Sequence, residues 1–433
     1  MDLRAEHSLQ TYKQRLHVII NRRRSLNLNS FVIAERFVQA DRVPVWQGRK
    51  GFEILGSEPR LELRGGHIRN PNDKTAQHFL RNKSEFRDQL QANYLSVAEG
   101  LSFSAQHREP AYQFVARWQK PCVVKPAWGK QGQGVTVGIR DRESLDLAID
   151  EAVAANQGRD DIILELQFHH AEEARFLVVG GRCISVFKRL PPAICGDGQA
   201  TIETLIAQRN AQKRKNPNEC RLPIVLDGSR LRRLAKYGYS LNTVLPSGEW
   251  YCIDEKASIS TGGDTFECSE YIADDYKVIA EQVAELAAPV AVVGVDIMAT
   301  DFQQPVRADN YIVLEANSGP AITGHRYPSY GRPVDVVAPI YDYAQHHFHF
   351  SPIGSQTIAV AVTIFVPRQD DPSPMWQVVL DLLAEMNIEP EESDAPSRVV
   401  ITTIEKDLLQ LQQRFHQAFS QQQAALIFSQ RTP

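Results

Sequence analysis

The sequence predicts a mixed α/β protein with more than one domain. Strand-like apolar runs alternate with amphipathic helical segments along most of the chain. The chain has 433 residues, more than one hydrophobic core usually serves, so we expect roughly two to four domains. Its 43% hydrophobic and 23% charged residues are typical of a globular protein. The expected fold class is therefore α+β and α/β.

The beginning of the chain predicts an N-terminal α/β region. Residues 8–24 have the apolar spacing of a helix, and the segment 31–63 is predicted to form short strands broken by prolines and a glycine. Helical periodicity returns over residues 73–99. We assign residues 1–110 to this region.

Residues 111–190 predict a strand-rich α+β lobe. A single amphipathic helix, RESLDLAIDEAVAA, accompanies the strands, and Gly180 and Gly181 form a tight turn between the last two. The predicted strands are, in order, PCVVKP, VTVGI, DIILELQF, ARFLVVGG and RCISVFKRL.

Two further regions are predicted after this lobe. In residues 191–350, Thr201 is a predicted helix N-cap, the helix DDYKVIAEQVAELAAPV precedes the buried strand AVVGVDIMA, and YIVLEANSGP forms another buried strand. Residues 355–433 alternate strand, helix, strand, helix and strand, which predicts a small C-terminal α/β appendage.

Charge and cysteine content limit the classes of ligand and metal site that we expect. The net charge is −4, and local arginine clusters such as Arg230, Arg232 and Arg233 suit a small anionic ligand better than nucleic acid. No signal peptide or membrane-spanning window is found, so we expect a cytoplasmic protein without a membrane partner. Six cysteines without a C-x-x-C pair predict reduced thiols and no zinc site. The run His346–His349 is expected to be solvated, with metal binding as the weaker alternative.

The segment VVKPAWGKQGQGV predicts a glycine-rich loop between two strands. It is not a P-loop, since Lys130 is followed by Gln131 and not by Ser or Thr, and its glycine spacing is not that of a dinucleotide fingerprint. Gly129, Gly132 and Gly134 leave backbone N–H groups accessible to a phosphate. A simple mobile hairpin is the alternative.

Two apolar strands carry a candidate metal site. Glu315 and Asn317 lie two positions apart and therefore face the same side of their strand, where Asp296 can join them if the strands are antiparallel neighbours. Oxygen ligands of this kind suit Mg²⁺. The alternative is that the carboxylates are satisfied by backbone or arginine groups. Lys125, inside an apolar strand, suits a phosphate partner or, alternatively, extends along the sheet edge to water.

The order of these motifs resembles the ATP-grasp superfamily of carboxylate–amine ligases. The similarity extends from about residue 73 to about residue 343 and is greatest to the ATP-grasp part of cyanophycin synthetases and of bifunctional glutathione-forming ligases. It implies two α+β lobes that enclose ATP, namely a lid lobe at 111–190 and a catalytic lobe at 191–350. The final segment does not resemble the Mur-ligase-like domain of cyanophycin synthetases, so we do not expect polymer growth.

The resemblance also implies roles for individual residues. ATP and Mg²⁺, with Mn²⁺ as an alternative, are the implied cofactors, and Glu172 is an alternative to Glu173 at the ribose. The implied ATP-binding residues are Lys83, Lys125, Gly129, Gln131, Gly132, Gly134, Glu165, Leu166, Gln167 and Glu173, and the implied metal ligands are Asp296, Glu315 and Asn317.

The implied reaction converts a carboxylate into an acyl phosphate and joins it to an amine. Arg189, Lys188 and Arg230 are the expected catalytic residues, although a solvated helix face is the alternative for Arg230 and its neighbours. Expected substrates are amino-acid-like small molecules, bound by Ser260, Thr261, Gly262, Gly263 and Arg326. A homo-oligomer is left open. A small-molecule kinase and a non-catalytic nucleotide sensor are the competing hypotheses.

Overall fold

The structure is a computed structural model. It describes residues 17–18, 20–21, 26–70, 73–129, 132–156, 158–352, 354, 357–365, 373–394, 398–418 and 425–430. Of the helix predicted over 8–24, the described positions 17, 18, 20 and 21 are helical. No helix in these ranges is both long and apolar enough to span a bilayer.

Helices and strands alternate along most of the described chain. The helices are α1 (Leu28–Gln39), α2 (Lys74–Arg81), α3 (Lys83–Ala92), α4 (Glu109–Trp118), α5 (Arg142–Ala155), α6 (Ile202–Lys213), α7 (Gly228–Lys236), α8 (Asp274–Leu286), α9 (Thr323–Arg326), α10 (Val337–His347), α11 (Ser373–Glu385) and α12 (Glu405–Ala418). The first eleven strands are β1 (Pro44–Gln47), β2 (Gly51–Ile54), β3 (Ser57–Glu58), β4 (Glu62–Arg64), β5 (His67–Arg69), β6 (Gly100–Ser104), β7 (Cys122–Pro126), β8 (Thr136–Ile139), β9 (Asp161–Leu166), β10 (Glu172–Val179) and β11 (Arg182–Leu190). The remaining strands are β12 (Ala193–Cys195), β13 (Trp250–Cys252), β14 (Asp264–Glu267), β15 (Val292–Ala299), β16 (Tyr311–Ser318), β17 (His349–Phe350), β18 (Thr357–Phe365), β19 (Pro390–Asp394), β20 (Arg398–Ile404) and β21 (Ala425–Gln430).

The chain divides into two compact units. Unit 1 comprises Met1–Arg69, Phe187–Cys268 and Gly319–Pro433, and unit 2 comprises Asn70–Val186 and Ser269–Ser318. Each unit is built from segments that are distant in sequence.

Unit 1 contains an eight-stranded sheet in the order β19-β20-β18-β21-β1-β2-β4-β5. Strands from the N-terminal region and from the C-terminal segment therefore share one sheet. They meet at β1 and β21, which run parallel with Val45 opposite Phe428. One hydrophobic core covers this junction and includes Val45, Val362, Trp376 and Phe428.

The prediction of strands over 31–63 is wrong for its first part, because α1 occupies Leu28–Gln39. The Asn27 side chain accepts a hydrogen bond from the Ser30 N–H and caps this helix. Phe31, Val32 and Ile33 favour strands by intrinsic propensity, but all three are buried in the folded protein. Tertiary packing thus overrides local preference here.

Unit 2 contains a four-stranded antiparallel sheet in the order β6-β9-β7-β8. Two helices, α4 and α5, share its core through residues such as Val115 and Ile149, whereas the sequence predicted only one. The helix α5 was predicted correctly, and it is capped by Asp141, whose side chain accepts from the Ser144 N–H. Strand β10, which the sequence grouped with these strands, instead pairs antiparallel with β15, and β15 pairs with β16.

Candidate functional site

The predicted metal ligands of unit 2 lie on neighbouring antiparallel strands. In the register of β15 and β16, Asp296 is opposite Glu315 and Gly294 is opposite Asn317. Directly paired residues project to the same face of a sheet, so the three side chains share one face. The Asn317 Nδ2 donates to Glu315 Oε1 at 3.1 Å, which confirms that this pair faces the same side.

Two cations lie against these carboxylates. Arg175 is opposite Asp296 on β10 and forms a bidentate ion pair with it, with Nε donating to Oδ1 at 2.6 Å. Lys83 Nζ donates to Glu315 Oε2 at 2.7 Å, and Arg175 Nη2 lies 3.9 Å from Glu315 Oε1. Pairing with arginine is the alternative to metal binding that the sequence leaves open, and Asp296 has such a pairing.

Glu315 is held in its ionised form. Burial alone would raise the pKa of this carboxyl, but Lys83, Asn317 and Arg175 outweigh burial and lower the pKa to about 2. A carboxylate must be ionised to bind a divalent cation, so Glu315 fits that role.

The set of two carboxylates and one amide has the oxygen chemistry of a hard divalent cation. Within the described ranges, no group of three or more His, Cys, Asp or Glu side chains could hold a metal ion. This accords with a site whose third member is Asn317. His346 and His347 are exposed, and each ring nitrogen Nδ1 contacts a carbonyl of its own helix, as expected for solvated residues.

A second ion cluster lies on β7 and β9. Lys125 Nζ donates to Glu165 Oε1 at 2.6 Å, and Arg87 Nη1 lies 3.3 Å from Glu165 Oε2. The Glu165 side chain is only 9% exposed, so its charge needs both partners. Lys125 is thus paired with a protein carboxylate and does not extend along a sheet edge to water.

The last residue of β9 and the residue after it both have backbone N–H groups that are already hydrogen-bonded. Leu166 N donates to the Glu99 carbonyl at 2.7 Å, and Gln167 N donates to the Pro121 carbonyl at 2.8 Å. The Gln167 side chain accepts from the Gly138 N–H at 3.0 Å, which ties the segment to β8.

Strand alternation bears on the two candidate ribose ligands. Glu173 is opposite Met298, two positions from the Arg175 and Asp296 pair, so it shares their face of the sheet. Glu172 is opposite Ala299, and at strand spacing it belongs to the other face. The geometry favours Glu173 over Glu172.

The glycine-rich loop joins β7 and β8 and so lies between two strands, as predicted; the structure adds that these strands pair antiparallel. Its first residues are anchored: Trp128 Nε1 donates to Asp161 Oδ2 at 2.6 Å, and the Trp128 N–H donates to Asn156 Oδ1 at 3.2 Å. Gly132 and Gly134 have φ values of +70° and +68°, which favour glycine. Lys130 and Gln131 lie outside the described residues.

Within unit 1, Arg230 contacts the loop Ser260–Gly263, which the sequence predicts to bind substrate. It is 5% exposed, so it does not lie on a solvated helix face, whereas Arg232 is exposed. Arg230 Nη2 donates to the Thr261 carbonyl at 2.6 Å and to Asp254 Oδ2 at 3.0 Å. These contacts make Arg230 a residue that shapes the loop.

Ser260, Thr261, Gly262 and Gly263 form a tight turn. Gly262 has a φ of +97°, and a Cβ at Gly263 would lie 2.6 Å from the Ser258 carbonyl oxygen. Glycine is therefore required at both positions. Below the turn, the buried Lys213 Nζ donates to the Gly263 carbonyl at 2.9 Å and lies 2.7 Å from Asp264 Oδ1.

Lys188 and Arg189 are adjacent on β11, where Lys188 is opposite Phe266 and Arg189 is opposite Thr265. Neighbouring strand residues project to opposite faces, so the two side chains belong to different faces of the sheet. Arg326 ends the short helix α9, and its Nη1 donates to Asp335 Oδ1 at 2.9 Å.

Comparison with known proteins shows which fold this is. The described fold superimposes on a bifunctional glutathione synthetase from Pasteurella multocida with a TM-score of 0.59, 20% identity, and coverage of 74% of this chain and 44% of that chain. The chain has the ATP-grasp fold. No family model matches the sequence.

Sequence relatives confirm the predicted resemblance to ATP-grasp ligases. The chain is 30% identical over 224 residues to a cyanophycin synthetase from a Synechocystis species, covering 51% of this chain and 25% of the relative. It is 29% identical over 260 residues to a bifunctional glutathione biosynthesis protein from Clostridium perfringens, covering 58% of this chain and 32% of the relative. The chain thus spans about a quarter to a third of the length of these relatives.

The sequence did not single out Arg87 and Arg175, the two arginines that pair with Glu165 and Asp296. Arg175 stands in the otherwise apolar run ARFLVV, which is the same signal that identified Lys125 in VVKP. A charged residue inside an apolar strand is costly to bury without a partner. Arg175 could have been found on that signal.

Proposed function

We propose that this chain is an ADP-forming, ATP-dependent carboxylate–amine ligase. The observation that carries the proposal is the face of unit 2 on which Asp296, Glu315 and Asn317 lie together beside Lys83. Similarity to cyanophycin synthetases and glutathione-forming proteins supports it.

In this proposal the triphosphate is bound by lysines that now neutralise carboxylates. Lys83 and Lys125 are paired with Glu315 and Glu165, and a polyphosphate offers each lysine a stronger anionic partner. The backbone N–H groups of Gly129, Gly132 and Gly134 are assigned to the phosphates. Glu165, Leu166 and Gln167 are assigned to the adenine end.

Several features support these nucleotide assignments. The Lys83 N–H donates to the Ala127 carbonyl at 3.0 Å, so this lysine is tied to the first turn of the glycine-rich loop. Glu173 is preferred for the ribose hydroxyls because of its sheet face. Gln131 keeps its assignment from the sequence alone.

Asp296, Glu315 and Asn317 would hold Mg²⁺ or Mn²⁺. A bound divalent ion supplies positive charge that stabilises the oxygens of a transferring phosphoryl group. Metal binding must compete with the bidentate Arg175 pair of Asp296. At Glu315 the ion must also compete with Lys83, and in this proposal Lys83 turns to the triphosphate when ATP binds. Asn317 contributes its side-chain carbonyl oxygen.

The reaction begins when a substrate carboxylate oxygen attacks the γ-phosphorus of ATP and ADP leaves. An amine then attacks the acyl phosphate, and inorganic phosphate leaves as the amide forms. Arg189 is assigned to stabilise the tetrahedral oxyanion, with Lys188 as the second choice. The Ser260–Gly263 turn and Arg230, which shapes it, are assigned to the carboxylate or acyl phosphate, with Arg326 as a further substrate contact.

The substrates proposed are amino-acid-like small molecules, and no nucleic acid or membrane partner is proposed. The location proposed for these substrates and this reaction is the cytoplasm. A homo-oligomer would be compatible with these assignments.

The test combines the purified 433-residue chain with ATP, Mg²⁺ and pairs of amino acids, and follows free phosphate together with product mass. An amide product with stoichiometric phosphate supports ligation. A stable phosphorylated product would instead show a kinase, and ATP binding without turnover over a broad panel would show a sensor. Glu315→Gln is the matched inactive control, since it removes a charge and almost no volume.

A further inference from the structure

Residues of the N-terminal region contact the segment that follows β16, and these residues and that segment both belong to unit 1. Asn29 Oδ1 accepts hydrogen bonds from the N–H groups of Ile322 and Thr323, at 2.9 and 3.2 Å. Gly66 packs so closely that a Cβ there would lie 2.4 Å from the Pro320 carbonyl oxygen. The short helix α9 that carries Arg326 is therefore held by residues to which the sequence assigned no role.

A chain of hydrogen bonds extends from Arg326 into this N-terminal region. Arg326 Nε donates to the Tyr327 hydroxyl at 3.1 Å, and this hydroxyl lies 2.5 Å from His17 Nδ1. His17 Nε2 lies 2.6 Å from Glu35 Oε2. His17 is 1% exposed and Tyr327 5%, so the middle of the chain is shielded from water.

Chemistry fixes the direction of donation at the two ends of this series of hydrogen bonds. An arginine N–H can only donate, and a carboxylate can only accept. The Tyr327 oxygen therefore accepts from Arg326 Nε, and the Glu35 carboxylate accepts from His17 Nε2. We assign the middle hydrogen bond to the Tyr327 hydroxyl as donor and His17 Nδ1 as acceptor, which corresponds to a His17 whose proton is on Nε2.

Arg326 keeps unused donors after these contacts. A guanidinium has five N–H groups, of which one is used by Tyr327 and one by Asp335. Within the described part of the chain, Nη2 has no hydrogen-bond acceptor. The side chain is 28% exposed, so a ligand can reach it.

We propose that Arg326 binds the carboxylate of an amino-acid-like substrate, and that Tyr327, His17 and Glu35 are positioning residues that fix its guanidinium. A guanidinium held at Nε and Nη1 loses little further freedom when a carboxylate binds. The proposal rests on the proposed function for its substrate class, and it adds a specific carboxylate-binding residue together with the N-terminal groups that orient it.

The first experiment measures binding to the full chain by calorimetry, in the presence of ADP and Mg²⁺. The probes are the twenty free amino acids and the corresponding amino-acid amides, which lack the carboxylate charge. We expect at least one acid to bind, its amide to bind about 10- to 100-fold more weakly, and Arg326→Met to remove this preference. Equal binding of acid and amide, or binding by none of the acids, overturns the proposal.

The positioning role has its own readout. Tyr327→Phe and Glu35→Gln are expected to weaken acid binding about 10-fold while ADP affinity stays unchanged. The control is Tyr343→Phe, because Tyr343 is a partly buried tyrosine whose ring stacks on that of His347, with 3.9 Å between ring centroids, and it is not one of the residues proposed to orient Arg326. Wild-type acid affinity in both positioning variants overturns the assignment.

A spectroscopic measurement separates orientation from simple folding support. Nitrogen-15 NMR of labelled histidines, with the His17 signal identified by its loss in His17→Gln, should show the Nε2-protonated tautomer at pH 8. Tyr327→Phe should shift the Nδ1 resonance. A His17 protonated on Nδ1 contradicts the proposed direction of donation.

The two proposals can fail separately. If the acid binds through Arg326 but no amide product forms, the ligase proposal fails and this one stands. If ligation proceeds and the Arg326, Tyr327 and Glu35 variants keep the wild-type KM for the acid, this proposal fails and the ligase proposal stands.

Discussion

Two glycines of the same loop should respond very differently to alanine. Gly132 and Gly134 have nearly equal φ values of +70° and +68°. An added Cβ at Gly132 meets no atom within 4 Å, whereas one at Gly134 would lie 2.5 Å from the Ala155 Cβ and 3.2 Å from the Ala152 Cα. The pair therefore separates backbone conformation from steric overlap.

The expected magnitudes follow from these contacts. A left-handed conformation costs an alanine about 1–2 kcal/mol, and both variants lose this amount. Reduced freedom of the unfolded chain returns about 0.4–1 kcal/mol in each. Only Gly134→Ala adds the cost of forcing a methyl group against α5, about 1–3 kcal/mol for overpacking. The difference between the two variants should thus be about 1–3 kcal/mol.

Amide hydrogen exchange over residues 142–155 is the appropriate assay, because it reports local opening of α5 in a chain of more than one unit. Gly134→Ala should increase exchange in that helix and raise the KM for ATP, and Gly132→Ala should change the helix little. Equal loss of protection in both variants would refute the steric argument, since the two glycines share their backbone conformation.

Three further predictions concern single side chains. Glu315→Gln should abolish turnover. The pKa of Glu315 is about 2 in the folded protein and lies below the ordinary 4.5, so its carboxylate stabilises the fold above pH 4.5, and this contribution is lost as the pH falls towards 2. The urea midpoints of variant and wild type should therefore converge near pH 2. Arg230→Met should lower the free energy of unfolding, measured by chemical denaturation, by about 2–4 kcal/mol, because it leaves the Thr261 carbonyl without its donor. Arg232 is exposed, so in the control variant Arg232→Met the free energy of unfolding should change by less than about 0.5 kcal/mol. Asn27→Ala should cost about 1 kcal/mol by removing the N-cap of α1, measured by thermal unfolding, and an unchanged midpoint would contradict that cap.

Local signals in the sequence predicted local structure well. The helix Arg142–Ala155 was predicted over its full length, because its cap at Asp141 and its apolar period lie within one short segment. The helix Leu28–Gln39 was not predicted, since its β-branched and aromatic residues become helical only through burial on nearly all sides. The order of strands in the eight-stranded sheet had no local signal at all.

The candidate site was predictable to the extent that it depends on strand alternation. Glu315 and Asn317 could be placed on one face from their spacing alone, and Asp296 needed only the antiparallel pairing that the structure has. The cation partners were less accessible, because Arg175 lies 121 residues from Asp296 and Arg87 lies 78 residues from Glu165. Contacts at such separations depend on the fold as a whole.

The parallel pairing of β1 and β21 has a consequence for synthesis of the protein on the ribosome. Val45 and its partner Phe428 are 383 residues apart, and translation proceeds at about 5–20 residues per second. The interval between the synthesis of β1 and that of its partner β21 is therefore roughly 20–75 s. During this interval β1 presents unpaired backbone N–H and C=O groups and an apolar face that includes Val45, which makes the nascent N-terminal region a natural client for chaperones.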